Sequence, residues 1–172
     1  EILATFVSLL LNFPLHFEAI QLLWVNLITD SLPAIALGCE PIEDDVMKKP
    51  SVKSSKLISG KMIYDMAIEG MQIGALSVLA YAIGRMFFDI DIHNPIIART
   101  MAFAVLSLSQ IAHAFNMRSG NVLNIRKSKL LFSSLICILL QVSVIQIPLL
   151  SGLFKTQALS LIQWITVVIL SV

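Results

Sequence analysis

The amino-acid sequence predicts an all-α protein that crosses a membrane several times as a bundle of helices. Hydrophobic residues make up 57% of the 172 residues, and the mean hydropathy is +0.86. Charged residues make up only 13%, whereas a soluble domain of this size carries roughly 25%. The apolar residues also fall into long runs separated by short polar stretches, which is typical of membrane-spanning helices of about 20 residues.

Six apolar segments are predicted as helices of a single membrane domain. Their bounds are about 1–13, 18–38, 62–88, 96–117, 130–149 and 158–172. The first and the last are shorter than a full membrane span, so we expect both to continue in a longer protein. The two cysteines, Cys39 and Cys137, have no metal-binding spacing and are predicted to be isolated thiols.

The charge of the connectors predicts how the helices are oriented. Nine Lys and Arg residues lie in two connectors, 39–61 and 118–129, whereas the connectors on the other side hold one, Lys155. Because basic loops stay in the cytoplasm, this difference predicts that 39–61 and 118–129 are cytoplasmic. The net charge of +1 gives no reason to expect a nucleic-acid partner.

The second predicted helix carries polar groups that suit a cation. Asn26, Thr29 and Asp30 have i, i+3 and i+4 spacing, so a regular helix would present all three on one face. Pro33 cannot donate a backbone hydrogen bond, so we expect it to break the helix and free the carbonyl of Thr29. An ionisable residue inside a membrane segment predicts a functional site, and a cluster of oxygen ligands suits a hard cation such as calcium. The alternatives are structural: Asn26 could bond a neighbouring helix, and Thr29 its own backbone.

The same residues carry a family resemblance. The run Gln21-Leu-Leu-Trp-Val-Asn-Leu-Ile-Thr-Asp30, followed by Leu32-Pro33-Ala34 and then by Glu40-Pro41, resembles the sixth membrane helix of P-type cation-transporting ATPases. The calcium pumps of the sarcoplasmic reticulum and secretory-pathway types are the most similar. The resemblance covers the whole chain, which would run from the end of the fifth membrane helix through part of the tenth.

The resemblance implies roles for five residues. Asn26 and Asp30 would be calcium ligands, and Thr29 would belong to a second, neighbouring site. Glu1 matches the acidic ligand of the fifth helix. Gln110 falls where relatives with two calcium sites carry Glu, and a neutral amide is a weaker ligand, which puts a second site in doubt. No catalytic residue is implied within this chain.

Three polar positions outside that helix are predicted to be structural. His113 and Asn116 continue from Gln110 at three-residue spacing, and we expect them to bond neighbouring helices. Glu69 lies about two turns into its helix. A carboxylate on a proton path would fit there, but we expect a structural group that is either partnered or protonated.

The resemblance implies an ATP-driven calcium pump of which this chain is the transport part. The transported ion would be Ca²⁺, while ATP and Mg²⁺ would bind cytoplasmic domains that this chain does not include. Its partners would be the lipid bilayer and the other helices and domains of the parent, a multi-pass protein of the plasma membrane if bacterial. A manganese pump and a secondary transporter or channel are the alternatives, because oxygen ligands suit several cations and broken helices also occur in transporters.

Overall fold

The computed structural model describes residues 17–39, 60–89, 95–116 and 129–172. The predicted helix 1–13 and most of the two basic connectors lie outside these ranges. All regular structure within them is helical. The helices are α1 Ala19–Gly38, α2 Gly60–Phe87, α3 Ile96–Asn116, α4 Lys129–Gln146, α5 Pro148–Phe154 and α6 Leu161–Ser171.

Four of the described helices, α1 to α4, are long and apolar enough to cross a membrane. Helix α3 lies at the centre, since 61% of its spanning segment is buried against 22% for α2. It packs against α1, α2, α4 and α6. The apolar core forms around it, and Tyr81 of α2 and Phe103 and Leu106 of α3 are fully buried.

Helices α2 and α3 approach most closely where Gly84 meets Ala98. A Cβ atom added to Gly84 would lie 2.6 Å from the Cα of Ala98, a separation that real Cβ atoms essentially never show. Only glycine therefore allows this backbone contact. The turn that follows is held by Asp89, whose two carboxylate oxygens accept hydrogen bonds from the amides of Ile97 (3.2 Å) and Ala98 (2.8 Å) at the start of α3. These bonds satisfy donors that have no partner inside the helix.

The predicted helix 130–149 is wrong at its C-terminal end. Helix α4 ends at Gln146, and a separate short helix, α5, begins at Pro148. Proline favours the first position of a helix, because its missing N–H would have no partner there. The residue before it is pushed to an extended conformation, and Ile147 has φ −82° and ψ 120°. The connector predicted at 150–157 is consequently helical as far as Phe154, and α6 begins at Leu161 rather than at 158.

The N-terminal half of α1 is anchored to the far end of the chain. Gln21 donates a hydrogen bond of 2.9 Å to the carbonyl of Phe154, and its side chain is buried. Trp24 packs edge-on against the Phe154 ring at a centroid distance of 5.2 Å. The ammonium of Lys155 lies 3.1 Å from the Glu18 carboxylate. These contacts fix the end of α1 that precedes the polar residues.

Candidate ion cavity

Helix α1 changes its winding at the polar residues. Ala19–Trp24 and Ser31–Gly38 are α-helical, while Val25–Asp30 forms a π-helical turn. The predicted break at Pro33 is therefore wrong, because the backbone stays helical and Pro33 lies inside the second α-helical part. Pro33 is the third residue of that part, and the first N–H groups of an α-helical segment have no partner within it. Proline lacks a backbone N–H and clashes with the carbonyl four residues before it in a regular α-helix, and the wider π-helical turn upstream accommodates both effects.

Side chains within the π-helical turn do not share one face. The turn has i→i+5 hydrogen bonds, so it holds more residues than an α-helical turn, and residues three apart, such as Asn26 and Thr29, no longer lie above one another. Asn26 is exposed, and its amide nitrogen donates 2.9 Å to the carbonyl of Leu22 in the same helix. Thr29, in contrast, is buried, with 3% of its surface exposed. The predicted three-residue face is thus divided.

Thr29 and Asp30 lie on the wall of a cavity of about 350 Å³ between α1, α2 and α3. Pro33 lines the same wall. Helix α3 adds Gln110 and His113, and helix α2 adds Glu69. The fold therefore brings together polar groups that are up to 84 positions apart in the chain, from Thr29 to His113. Polar groups gathered in an apolar helix bundle are a usual feature of an ion or ligand site.

The side chains of Glu69 and His113 are in polar contact on that cavity wall. The Nε2 atom of His113 lies 3.1 Å from the Glu69 carboxylate, and the two side chains are 23% and 42% exposed, respectively. His113 thus contacts a neighbouring helix, as expected, and Glu69 has a partner. Sequence reasoning missed that they share a cavity with Asp30, since their contact joins two helices and leaves no local pattern. The sequence offered two hints of this contact: Glu69 is a carboxylate within an apolar run, and His113 belongs to a series of polar residues spaced by three along α3.

The polar groups of the cavity wall are mostly oxygen donors. Within 17–39, 60–89, 95–116 and 129–172, no three or more His, Cys, Asp and Glu side chains are grouped to hold a metal. The cavity wall offers a hydroxyl, a side-chain amide and two carboxylates, and these carboxylates do not form such a group with His113. Such groups bind hard cations, for which carbonyl, amide and carboxylate oxygens all serve as ligands.

Comparison with known proteins identifies the kind of protein to which this cavity belongs. Residues 14–172 match the family described as "Cation transporting ATPase, C-terminus". The chain belongs to this family of cation-transporting ATPases. It is 40% identical over 190 residues to Calcium-transporting ATPase 1 of Bacillus cereus, an alignment that covers 100% of this chain and 21% of that protein.

Two further relatives match along nearly the whole chain. Calcium-transporting ATPase of Bacillus subtilis is 37% identical over 173 residues, which cover 98% of this chain and 19% of the relative. Calcium-transporting ATPase 3, endoplasmic reticulum-type, of Arabidopsis thaliana is 28% identical over 201 residues, which cover 99% of this chain and 20% of that protein. The chain spans about a fifth of the length of the curated relatives it matches.

Membership of the cation-transporting ATPase family confirms the resemblance, and the helical structure confirms the all-α membrane bundle. The chain matches the C-terminal region of this family, and four of its described helices are long and apolar enough to cross a membrane. Of the five predicted ion-site residues, the fold brings Thr29, Asp30 and Gln110 to one cavity. Asn26 is not among the residues that line it, and Glu1 lies outside the described residues.

Proposed function

We propose that this chain is the membrane part of an ATP-driven calcium pump and that the cavity beside Asp30 receives the transported ion. The observation that carries the proposal is the meeting of Thr29 and Asp30 from α1 with Gln110 from α3 at one cavity. A carboxylate, a hydroxyl and an amide provide the oxygen ligands that Ca²⁺ takes in proteins. Asn26 and Glu1 would complete the ligand set in the parent pump.

The location of Asp30 supports a transport site rather than a structural ion pair. Asp30 lies in the membrane span Ala19–Gly38, at the last residue of the π-helical turn. A carboxylate at that depth is costly and marks an ion pathway in most membrane proteins, and π-helical turns frequently occur at functional sites. The names of the two Bacillus relatives, both calcium-transporting ATPases, agree with this assignment.

The remaining parts of the mechanism belong to the parent protein. ATP and Mg²⁺ would act on cytoplasmic domains, and the domain movement that follows phosphorylation would open the cavity to one side of the membrane and then to the other. This chain would contribute ion ligands and a scaffold but no catalytic group. Its partners would be those domains, the other membrane helices and the lipid bilayer, in the plasma membrane if the parent is bacterial.

The proposal is tested by removing the charge of Asp30 in the full-length pump. Asp30→Asn keeps the size of the side chain and removes its charge, so calcium-dependent phosphorylation from ATP is expected to be lost. Asp65→Asn is the matched control, because Asp65 is an exposed carboxylate of α2 outside the cavity wall. Calcium-activated phosphorylation of the Asp30→Asn pump at the level of the control would contradict the proposal. Activation of the unmodified pump by Mn²⁺ and not by Ca²⁺ would instead assign it to manganese transport.

A further inference from the structure

The contact between Glu69 and His113 forms part of the same cavity wall as Asp30. Both residues line the cavity together with Thr29, Asp30 and Gln110. The Glu69 side chain is 42% exposed even though its carboxylate is paired at 3.1 Å. Part of the Glu69 side chain therefore faces the cavity in addition to contacting His113.

Glu69 adds a second negative charge to the wall of the cavity. Helix α1 brings one carboxylate, that of Asp30, and Gln110 of α3 brings a neutral amide. A divalent cation taken out of water requires compensating negative charge, because an uncompensated charge in a low-dielectric site is strongly unfavourable. Glu69 is the second carboxylate that the described helices bring to this cavity. Together with Asp30, it supplies two negative charges, which match one dication.

His113 holds the carboxylate without having to cancel its charge. A carboxylate only accepts hydrogen bonds, so the Nε2 atom of His113 must carry the proton that it donates to Glu69. An imidazole in this role fixes the orientation of a ligand carboxylate, as second partners of metal ligands commonly do. On its other side, the pair borders a second cavity, of about 210 Å³, which Gln72 and Ser109 also line.

A buried hydroxyl in this second cavity supports a polar role for the pair. Ser109 is 5% exposed, and its Oγ has no hydrogen-bond partner within the described part of the chain. An unpartnered hydroxyl of this kind usually bonds water or another polar ligand in the cavity. The Glu69–His113 pair consequently lies between two cavities, of which the first is lined mainly by apolar side chains and the second contains this hydroxyl.

We propose that Glu69 is a second carboxylate of the ion cavity, that it strengthens binding of the dication near Asp30, and that His113 is its positioning residue. This inference rests on the proposed function, since it names a further charge acting on the same ion. It differs from a purely structural role, in which the pair would hold α2 against α3 and leave ion affinity unchanged.

The first experiment measures equilibrium binding of radioactive calcium to the purified full-length pump. Glu69→Gln is expected to weaken binding by about tenfold, the order expected for one charge at a partly solvated site. Asp65→Asn removes one negative charge from the same helix away from the cavity wall and is expected to change binding by less than about twofold. Equal affinities of the Glu69→Gln and Asp65→Asn pumps would overturn the inference.

The Asp30→Asn pump separates this inference from the proposed function. Loss of calcium binding in Asp30→Asn, together with unchanged binding in Glu69→Gln, would overturn the inference and leave the function standing. Absence of calcium binding in the unmodified pump would overturn both. The double variant of Glu69→Gln with His113→Gln keeps two groups that can hydrogen-bond across the helices but not the charge, so it should bind calcium as weakly as Glu69→Gln alone.

The second experiment tests how His113 acts. His113→Gln provides an amide donor in place of Nε2, so calcium affinity should stay close to that of the unmodified pump. His113→Phe keeps a ring but has no donor, and it should weaken binding several-fold. In the Glu69→Gln background, His113→Phe should cause no additional loss, because the carboxylate that it positions is gone. An additional loss of the same size in that background would show that His113 acts independently of Glu69.

Discussion

The indole N–H of Trp24 donates a hydrogen bond of 2.9 Å to the side-chain carbonyl of Gln141. This bond joins α1 to α4 one residue before the π-helical turn begins. Gln141 is 1% exposed, and its Nε2 atom has no partner within the described residues. The side-chain carbonyl of Gln141 therefore has its hydrogen-bond donor in Trp24, and this bond helps to hold α1 against α4 next to the cavity.

Loss of the Trp24 donor is expected to lower the stability of the protein. Trp24→Phe leaves the buried Gln141 without that bond, so the unfolding free energy should fall by about 1–3 kcal/mol, the cost of an unsatisfied buried polar group. The measurement is the thermal unfolding midpoint of the full-length pump in detergent. Combining Trp24→Phe with Gln141→Leu removes both polar partners and should recover most of the loss. A double variant that is less stable than Trp24→Phe would show that packing, and not the hydrogen bond, dominates this contact.

A side chain at Gly84 is expected to force α2 and α3 apart. Gly84→Ala would place a methyl group 2.6 Å from the backbone of Ala98, and overpacking of this kind costs about 1–3 kcal/mol. Thermal unfolding of the pump measures the effect. Gly152→Ala is the control, because a Cβ at that position meets no described atom within 4 Å. Its stability should be unchanged or slightly higher, since Ala favours the helix more than Gly does. Equal stability of the two variants would contradict the close approach of the two backbones.

The neutral side chain of Gln110 predicts one calcium ion per pump rather than two. Two dications held close together repel strongly in a low-dielectric site, and α3 contributes an amide instead of a further carboxylate. The measurement is the number of radioactive calcium ions bound per phosphorylatable pump, with its Hill coefficient. A ratio near one with no cooperativity is expected. A ratio near two with a Hill coefficient well above one would refute the prediction, and Gln110→Glu tests whether an added charge creates a second site.

The membrane helices were predictable because each depends on an apolar run of its own, long enough to span a bilayer. The end of α4 was missed although its signal is local: Pro148 starts a new helix within a continuous apolar stretch, and hydropathy alone does not register that change. The π-helical turn was also missed, since the interpretation of Asn26, Thr29 and Asp30 assumed regular α-helical spacing.

The candidate site was predictable where it rests on one helix or on the family resemblance. Asp30 was identified from its cost inside an apolar run, and Gln110 from its position in the family pattern. The contact of Glu69 with His113 was not predictable as part of that site, because it depends on how α2 crosses α3. That crossing is set by the meeting of Gly84 and Ala98 and by the bonds of Asp89 to the start of α3, neither of which carries an ion-binding signature.

The π-helical turn rotates the C-terminal part of α1 about the helix axis relative to the N-terminal part. One residue of an α-helix corresponds to about 100° of rotation, so an added residue at Val25–Asp30 turns everything after it by roughly that angle. The end that contains Trp24 contacts α4 and α5, while the end that contains Pro33 packs against α4 and lines the cavity between α1, α2 and α3. The turn thus joins an N-terminal part of α1 that is fixed by its contact with Gln141 to a C-terminal part that lines the cavity. The number of residues in the turn, more than any single side chain in it, sets the side of the helix on which the residues after it lie.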